Sequence, residues 1–327
     1  MSRRVLVTGG LGFIGSHVVE HLVARGYDVQ VADRLSYAGK VRNLSAVLDS
    51  VKLWMGDLKN PDFCERLAVY GFDEVVHMAG NTHVDRSISH PLEFTLDNVL
   101  GTNMLLDALE RHGHDGRVLV YSTDEVFGPT PAGECFDENT PLRPSNAYSA
   151  SKVGIEGLAS AYWITHGLPT IIVRPCNTYG PRQHPEKVIP RFVRQALAGE
   201  PLTIHRDGSG ARDWLHATDH ARAVEAIMVE GLPGSSYNMA AGDEHTDLEI
   251  AEGVCRALDK PVLVKSVEVR PGHDRRYWMD GSRLRTLGWH PLVPFSTGFR
   301  DTVLWNAENR GWWDADWVKA RELVGAA

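Results

Sequence analysis

The first half of the chain alternates short β-branched apolar runs with longer segments of helical period. The apolar runs predict strands over residues 5–8, 28–33, 51–54, 74–78, 117–122 and 170–174. Amphipathic segments lie between most of these strands and predict helices over residues 13–25, 96–112 and 146–166. Strands that are apolar throughout and separated by helices are typical of a parallel sheet covered on both faces. The pattern therefore predicts a doubly wound α/β domain over residues 1–175.

The pattern changes after residue 175, where the loops lengthen. Helices are predicted over residues 188–198, 218–229, 245–258 and 296–309. We expect residues 176–327 to form a smaller, mixed α/β domain that binds the substrate. A segment near residues 215–240 is expected to return to the first domain.

Composition and charge narrow the classes of function. The 327 residues include 34 Lys and Arg against 42 Asp and Glu, a formal net charge of −8. Because no block of Lys or Arg offsets it, this balance disfavours nucleic acid or an anionic membrane as partner. No apolar run is as long as a membrane helix, and the N-terminus has no signal-peptide pattern, so we expect a cytoplasmic protein. The scattered cysteines, with no CxxC pair, predict neither a metal site nor a disulfide framework: Cys64, Cys135, Cys176 and Cys255.

A glycine-rich loop follows the first predicted strand and opens a helix. Gly9, Gly12 and Gly15 are spaced three residues apart, with Phe13 and Ile14 between the last two. Glycine permits a tight turn and brings backbone N–H groups close to a pyrophosphate at the positive end of the helix. The motif predicts a dinucleotide site that includes all five residues.

An acidic residue at the end of the second strand favours one dinucleotide. A carboxylate at Asp33 accepts hydrogen bonds from the adenosine ribose and repels a 2′-phosphate, so we expect NAD rather than NADP. The adjacent Arg34 favours the opposite reading, since arginine can bind that phosphate. Asp57 and Leu58 are candidates for the adenine side, although Asp57 could equally cap the helix that begins near Asn60.

A tyrosine and a lysine four residues apart lie on one face of a predicted helix. Tyr148 is a poor base at its ordinary pKa, but the ammonium of Lys152 and a positive nicotinamide ring would both favour its phenolate. The same spacing also occurs by chance as a surface pair. Together with the glycine loop and the polar strand end at Ser122-Thr123, the pair resembles the extended short-chain dehydrogenase/reductases that act on nucleotide sugars.

Two adjacent carboxylates follow the fifth predicted strand, where a parallel sheet presents ligands. Burial of Asp124 and Glu125 beside a cofactor would raise at least one pKa, leaving one proton donor and one proton acceptor. The alternative is an acidic loop start, with Asp124 capping a helix or turn.

Longer motifs resemble the dTDP-glucose 4,6-dehydratases and their UDP-glucose relatives nearly end to end. They are DRLSYAG at 33–39, HVDRS at 83–87, STDEV at 122–126, YSASK at 148–152, YGP at 179–181, PEKVIP at 185–190, RDWL at 212–215 and RPGHDRRY at 270–277. The resemblance implies a Rossmann fold with bound NAD and conversion of an NDP-glucose to the 4-keto-6-deoxy sugar. It also implies a homodimer, formed through a four-helix bundle by the helices over 96–112 and 146–166.

The resemblance assigns a role to each candidate catalytic residue. Tyr148 would remove the 4-hydroxyl proton as hydride leaves C4, and Thr123 would hydrogen-bond the 4-oxygen. Glu125 would abstract the C5 proton, and Asp124 would protonate the departing 6-hydroxyl. Lys152 would hold the ribose and tune Tyr148. The substrate-binding residues that it implies are Thr82, Asn177, Glu186, Lys187, Arg212, Asn238, Arg270 and His273.

Several positions depart from the family pattern and leave the sugar and the nucleobase open. Asn81 stands where a carboxylate is usual, Cys176 replaces a serine, and His205-Arg206 replaces Tyr-Gly. A 4-epimerase, or a dehydratase of another sugar nucleotide, is the alternative function. An epimerase does not need the two adjacent carboxylates. A non-catalytic NAD-binding regulator would be expected to lose the tyrosine or the lysine.

Overall fold

A central parallel sheet organises the molecule, which a computed structural model describes over residues 2–268, 272 and 274–312. The strands of these residues are β1 (Arg4–Thr8), β2 (Asp28–Asp33), β3 (Lys52–Met55), β4 (Glu74–His77), β5 (Val118–Tyr121), β6 (Thr170–Pro175), β7 (Asn177–Tyr179), β8 (Leu202–His205), β9 (Ala211–His216), β10 (Ser236–Met239), β11 (Glu244–Thr246) and β12 (Val264–Val267).

Seven of the described strands form the large sheet, in the order β10-β6-β5-β4-β1-β2-β3. All neighbouring pairs are parallel, and in β1 Val7 lies between Val31 of β2 and Val76 of β4. The strand order reverses between β1 and β4, so a crevice opens there at the carboxyl ends of the strands. The predicted doubly wound sheet is confirmed. Strand β10 is contributed by the segment that we expected to return.

Helices cover both faces of this sheet. The α-helices of the described residues are α1 (Phe13–Ala24), α2 (Pro61–Tyr70), α3 (Val84–Ser89), α4 (Pro91–Phe94), α5 (Gly101–Arg111), α6 (Ala147–His166), α7 (Val188–Ala198), α8 (Ala217–Glu230), α9 (Asp247–Ala257), α10 (Ser282–Arg285) and α11 (Phe295–Glu308). Because strand side chains alternate, Val5 belongs to one apolar cluster together with Leu22 of α1 and Val224 of α8. On the opposite face, Leu6 belongs to a second cluster that includes Leu105 of α5.

One predicted helix differs from its expected form. The segment expected as a continuous helix over 96–112 begins with a π-helical turn, Thr95–Leu100, that continues into α5. This wider turn carries Asp97 and Asn98, whose side chains bond to Arg34 and to the backbone of Asn81. The four helices predicted after residue 175 all form, with bounds that shift by at most two residues at either end.

The second half adds smaller sheets and a core of its own. Strands β11, β9 and β7 form one sheet, and β12 pairs with β8. Phe192, Trp214, Val254 and Val303 belong to an apolar cluster separate from those of the large sheet. The division into two domains near residue 175 stays a prediction. Among the described residues, no helix combines the length and the apolar character that crossing a membrane requires.

Candidate active site

A cavity of about 320 Å³ opens at the carboxyl ends of β1, β4 and β5, where the strand order reverses. It brings together most of the residues that the sequence singles out: Gly9, Gly12, Phe13, Ile14, Gly15, Asp33, Asp57, Leu58, Thr82, Thr123, Asp124, Glu125, Tyr148, Lys152, Asn177, Glu186 and Lys187. Arg212 and Asn238 do not line it, and Arg270 and His273 lie outside the described residues.

Glycines shape one end of the cavity so that backbone can approach a ligand. Gly9 has φ +71°, and a Cβ at that position would lie 2.9 Å from the Cα of Ala79. A Cβ at Gly15 would lie 2.3 Å from the carbonyl oxygen of Gly9. Gly12 is the N-cap of α1 and offers no capping side chain, so first-turn N–H groups are left for an anion. This cradle fits the pyrophosphate of a dinucleotide.

Asp33 lies at the end of β2 with its carboxylate fixed by the backbone. Its oxygens accept hydrogen bonds from the N–H groups of Leu11 and Leu35, at 3.2 and 2.8 Å. Burial raises the pKa of Asp33, and these backbone donors oppose the increase. The carboxylate thus faces the cavity at the position expected to meet the adenosine ribose.

Asp57 does not cap the following helix, so that alternative is wrong. The N-cap of α2 is Asn60, whose side-chain oxygen accepts hydrogen bonds from Asp62 N and Phe63 N. Asp57 instead lines the cavity and pairs with Arg34 at 3.2 Å and with Lys59 at 3.1 Å.

Tyr148 and Lys152 lie in the first turns of α6, buried and facing the cavity. Burial raises the pKa of Tyr148 well above its usual range, and the charge of Glu125 adds to this shift, while a hydrogen bond with Thr123 opposes it. Burial also lowers the pKa of Lys152 to about 8. The ammonium donates to the carbonyl oxygen of Tyr121 at 2.8 Å. That Lys152 lowers the tyrosine's pKa stays a prediction for the cofactor-bound state.

The two adjacent carboxylates occupy the short 3₁₀ turn Asp124–Phe127, directly after β5. Thr123, not Asp124, caps this turn by accepting from the N–H of Glu125, so the capping alternative for Asp124 is wrong. Burial and the neighbouring charge of Glu125 raise the pKa of Asp124 to about 7, whereas Arg212 acts to lower it. Asp124 is therefore poised to carry a proton near neutral pH, as the sequence predicts for one member of the pair.

Glu125 is held by the residue that caps α6, the helix of Tyr148 and Lys152. Asn146 is the N-cap of α6 and forms a capping box with Ser149. Its side-chain amide also donates to the Glu125 carboxylate at 3.4 Å. Asn146 is not among the site residues predicted from the sequence, although an asparagine at the start of a predicted helix is a recognisable cap signal. Because Asn146 caps the helix of Tyr148 and also contacts Glu125, it fixes the position of Glu125 relative to Tyr148.

Glu186 joins separate segments at the other end of the cavity. Its carboxylate accepts a hydrogen bond from Tyr37 at 3.1 Å and lies 3.5 Å from both His83 and Lys187. Burial acts to raise its pKa, but Lys187 and the neighbouring histidines hold it at about 2. The ammonium of Lys187 also donates to the Thr82 carbonyl at 3.1 Å.

Two predicted substrate ligands lie outside the cavity lining. The Arg212 guanidinium donates to the carbonyls of Ala211 and Asp274 and lies 4.4 Å from the Tyr277 ring centroid. Its charge still reaches Asp124. Asn238 is fully buried in β10, where its amide donates to the Phe136 carbonyl at 3.4 Å.

The three departures from the family pattern have different surroundings. Asn81 lines the cavity and donates to Asp97 at 2.7 Å. Cys176 also lines the cavity, and burial raises the pKa of its thiol, which disfavours a nucleophilic thiolate. His205 and Arg206 lie at the end of β8, outside the cavity lining, and Arg206 has φ +53°.

Comparison with known proteins places the chain in a family. The family model described as GDP-mannose 4,6 dehydratase matches residues 6–302. The chain belongs to this family. A dTDP-glucose 4,6-dehydratase from Streptomyces niveus is 40% identical over 321 residues, which are 95% of each chain. The resemblance inferred from the motifs is confirmed, and with it the class of enzyme, a 4,6-dehydratase.

Solved structures of family members and of related enzymes share the architecture. The dTDP-glucose 4,6-dehydratase from Streptomyces venezuelae, solved with NAD bound, is 42% identical with a TM-score of 0.92 and covers 95% of this chain and 99% of its own. The UDP-glucose 4-epimerase from Thermus thermophilus, solved with NAD, is 35% identical with a TM-score of 0.88 and covers 94% and 99%. Because dehydratases and epimerases share the fold, the residues of the cavity must distinguish them.

Proposed function

We propose that this protein converts dTDP-glucose to dTDP-4-keto-6-deoxyglucose, with NAD as a bound cofactor that is regenerated in each cycle. The observation that carries the proposal is the pair Asp124 and Glu125, which shares one cavity with Tyr148 and Lys152. Dehydration needs a base for the C5 proton and an acid for the 6-hydroxyl, and two adjacent carboxyl groups, of which Asp124 has a raised pKa, can supply both.

The cavity fits NAD in both its shape and its charge. The glycine cradle and the first turn of α1 would hold the pyrophosphate, Asp33 the adenosine ribose, and Lys152 the nicotinamide ribose. Leu58 and Asp57 would border the adenine. When bound, NAD supplies the acceptor for hydride from sugar C4 and the donor that returns it to C6.

The side chains of the cavity perform the proton transfers. Tyr148 takes the proton of the 4-hydroxyl, and Thr123, which hydrogen-bonds the phenol, also contacts the 4-oxygen. The 4-keto group makes the C5 proton acidic, so Glu125 can remove it to form an enolate. Asp124, protonated, gives its proton to the 6-hydroxyl, and the C6–O bond breaks with loss of water. A proton then returns to C5 as hydride reaches C6, and the 4-keto-6-deoxy sugar results.

The substrate assignment rests on the relatives and on the charged groups at the outer end of the cavity. Lys187 lines this end, and Arg212, although outside the cavity lining, lies close enough for its charge to act on Asp124, so both would attract the diphosphate of a sugar nucleotide. Thr82, Asn177 and Glu186 would contact the sugar and its adjoining phosphate. Curated relatives named dTDP-glucose 4,6-dehydratase include proteins 35% to 41% identical to this chain, and relatives whose names include UDP-glucose 4,6-dehydratase are 37% identical.

A 4-epimerase is the second candidate function, since an epimerase shares this fold at a TM-score of 0.88. It would use Tyr148 and Lys152 in the same oxidation. An epimerase moves no C5 proton, however, so it gives no reason to bury Asp124 beside Glu125. The carboxylate pair therefore favours dehydration.

Product mass separates these functions in one experiment. The purified protein is incubated separately with dTDP-glucose and UDP-glucose, and the products are weighed by mass spectrometry. We expect loss of one water from dTDP-glucose, faster than from UDP-glucose, without net formation of reduced nicotinamide. An isomer of unchanged mass would identify an epimerase, and faster turnover of UDP-glucose would reassign the nucleobase.

The raised pKa of Asp124 predicts a pH limit on water loss. Because the acid form must donate, and its pKa is about 7, the rate of elimination should be highest below this pH. Above it the rate should fall about tenfold per pH unit as the carboxyl ionises. Single-turnover measurements of water loss across this range test the expectation. In Asp124→Asn the rate of elimination should no longer fall as the pH rises. The same fall in that variant would show that another group titrates.

We also propose a homodimer in which α5 with its preceding π-helical turn, and α6, pack against the same helices of a second copy. Leu96 and Ile164 on these segments are 39% and 78% exposed in the single chain. Burial of such side chains in a bundle would remove apolar surface from water. Sedimentation equilibrium should give twice the chain mass, and a monomer would contradict this arrangement.

A further inference from the structure

Arg34, which follows Asp33 at the cavity rim, has both terminal nitrogens of its guanidinium bonded to carboxylates. Its Nη1 and Nη2 donate to the two oxygens of Asp97 at 2.8 and 2.5 Å, and Nη1 also donates to Asp57 at 3.2 Å. Lys59 pairs with the same two carboxylates. Arg34 and Lys59 thus balance the charges of Asp57 and Asp97 within one cluster. All of its members except Lys59 line the cavity.

The backbone holds Asp97 in this position. Asp97 and Asn98 lie in the π-helical turn Thr95–Leu100, a widened form that often occurs at functional sites. The Asp97 carboxylate accepts from the amide of Asn81 at 2.7 Å. Asn98 accepts from the backbone N–H of Asn81 at 2.7 Å and donates to its carbonyl at 3.1 Å. The carboxylate is therefore fixed between Arg34 on one side and Asn81 on the other.

The engaged arginine bears directly on the choice of dinucleotide. NADP differs from NAD by a 2′-phosphate on the adenosine ribose, and an arginine near that ribose is its usual ligand. Arg34 is adjacent to Asp33, the predicted ribose ligand, and both line the same cavity. Since its bidentate face is given to Asp97, it is not available to bind a phosphate in the same way.

We propose that Asp97 sets the preference for NAD over NADP by sequestering Arg34, in addition to the repulsion exerted by Asp33. This inference rests on the proposed function, because it requires that a dinucleotide occupies this cavity. It also accounts for Asn81, which stands where the family usually has a carboxylate. A carboxylate in place of that amide would face Asp97 across about the same 2.7 Å and repel it.

A double-mutant cycle tests the proposal through binding alone. Dinucleotide-free wild type, Asp33→Asn, Asp97→Asn and the double variant are each titrated with NAD⁺ and NADP⁺ by calorimetry. Asn at position 97 keeps an oxygen that can accept from Asn81, so the turn should be preserved. Asp33→Asn removes repulsion while Arg34 keeps its bidentate pair, and Asp97→Asn removes that bidentate carboxylate, leaving Arg34 only its single bond to Asp57, while Asp33 still repels. We expect the double variant to shift the NADP⁺/NAD⁺ affinity ratio at least about fivefold beyond the product of the single shifts.

Two controls make the result specific to Arg34. Adding Arg34→Ala to the double variant should abolish the extra gain. Glu225→Gln removes a carboxylate from another arginine pair, with Arg25 at the far end of α1, and should leave the ratio unchanged. The proposal would be overturned if the shifts of the affinity ratio in the single variants simply multiplied in the double variant, or if the extra gain survived Arg34→Ala. In either case, tight binding of NAD⁺ by wild type would leave the proposed function intact. Wild type that binds neither dinucleotide would overturn both.

Discussion

Tyr148→Phe is expected to lower the rate of C4 oxidation by about 10²- to 10⁴-fold. The substitution removes the phenolic oxygen that accepts the 4-hydroxyl proton. The buried ring, which packs against Phe94 with centroids 6.3 Å apart, is retained. The measurement is the appearance of reduced nicotinamide absorbance in a single turnover after mixing with the substrate.

A second tyrosine on the same helix provides the matched control. Tyr162 donates its hydroxyl to Asn103 at 3.3 Å and does not line the cavity. Tyr162→Phe should therefore oxidise C4 within about twofold of wild type, as a change away from the reacting atoms. If Tyr148→Phe also retained a rate within about tenfold of wild type, the proton of the 4-hydroxyl would have to leave through another group.

Glu125→Gln is expected to separate oxidation from elimination. The amide cannot take up a proton, so exchange of the C5 hydrogen with deuterated solvent should fall by about 10²-fold or more. Oxidation at C4 depends on Tyr148 and should continue, so reduced nicotinamide should persist rather than return to its starting level. Deuterium at C5 of recovered sugar, measured by NMR, reports the exchange directly.

Asp124→Asn distinguishes the acid from the base. This variant keeps the Glu125 carboxylate and its contact with Asn146, so C5 exchange should continue while water loss slows. The opposite pattern, with exchange normal in Glu125→Gln and lost in Asp124→Asn, would reverse the two roles.

The sheet could be predicted from the sequence because each strand of the first half is a short apolar run with a helix after it. Val5, Leu6 and Val7 are all fully buried, as expected for a strand covered on both faces. The short strands β7 to β12 could not be found in this way. They are three to six residues long and belong to three different sheets, and β11 pairs with β9 across about thirty residues of intervening chain that include α8 and β10.

Local spacing also predicted much of the candidate site. Tyr148 and Lys152 share a helix face by their four-residue separation, and Asp124 follows a strand whose end reaches the cavity. The partners of Arg34 could not be read in the same way, because Asp97 is 63 positions away and comes close only through a π-helical turn. Asn238 illustrates the opposite error. The sequence makes it a plausible substrate ligand, but its side chain is fully buried in β10.

Transfer of deuterium from C4 to C6 tests the central claim most directly. Wild-type protein is incubated with dTDP-glucose labelled with deuterium at sugar C4, and the product is examined by mass spectrometry and NMR. The proposed function predicts a product that has lost one water and carries the label at C6, with no net reduced nicotinamide. A product of unchanged mass with the label still at C4 would contradict it.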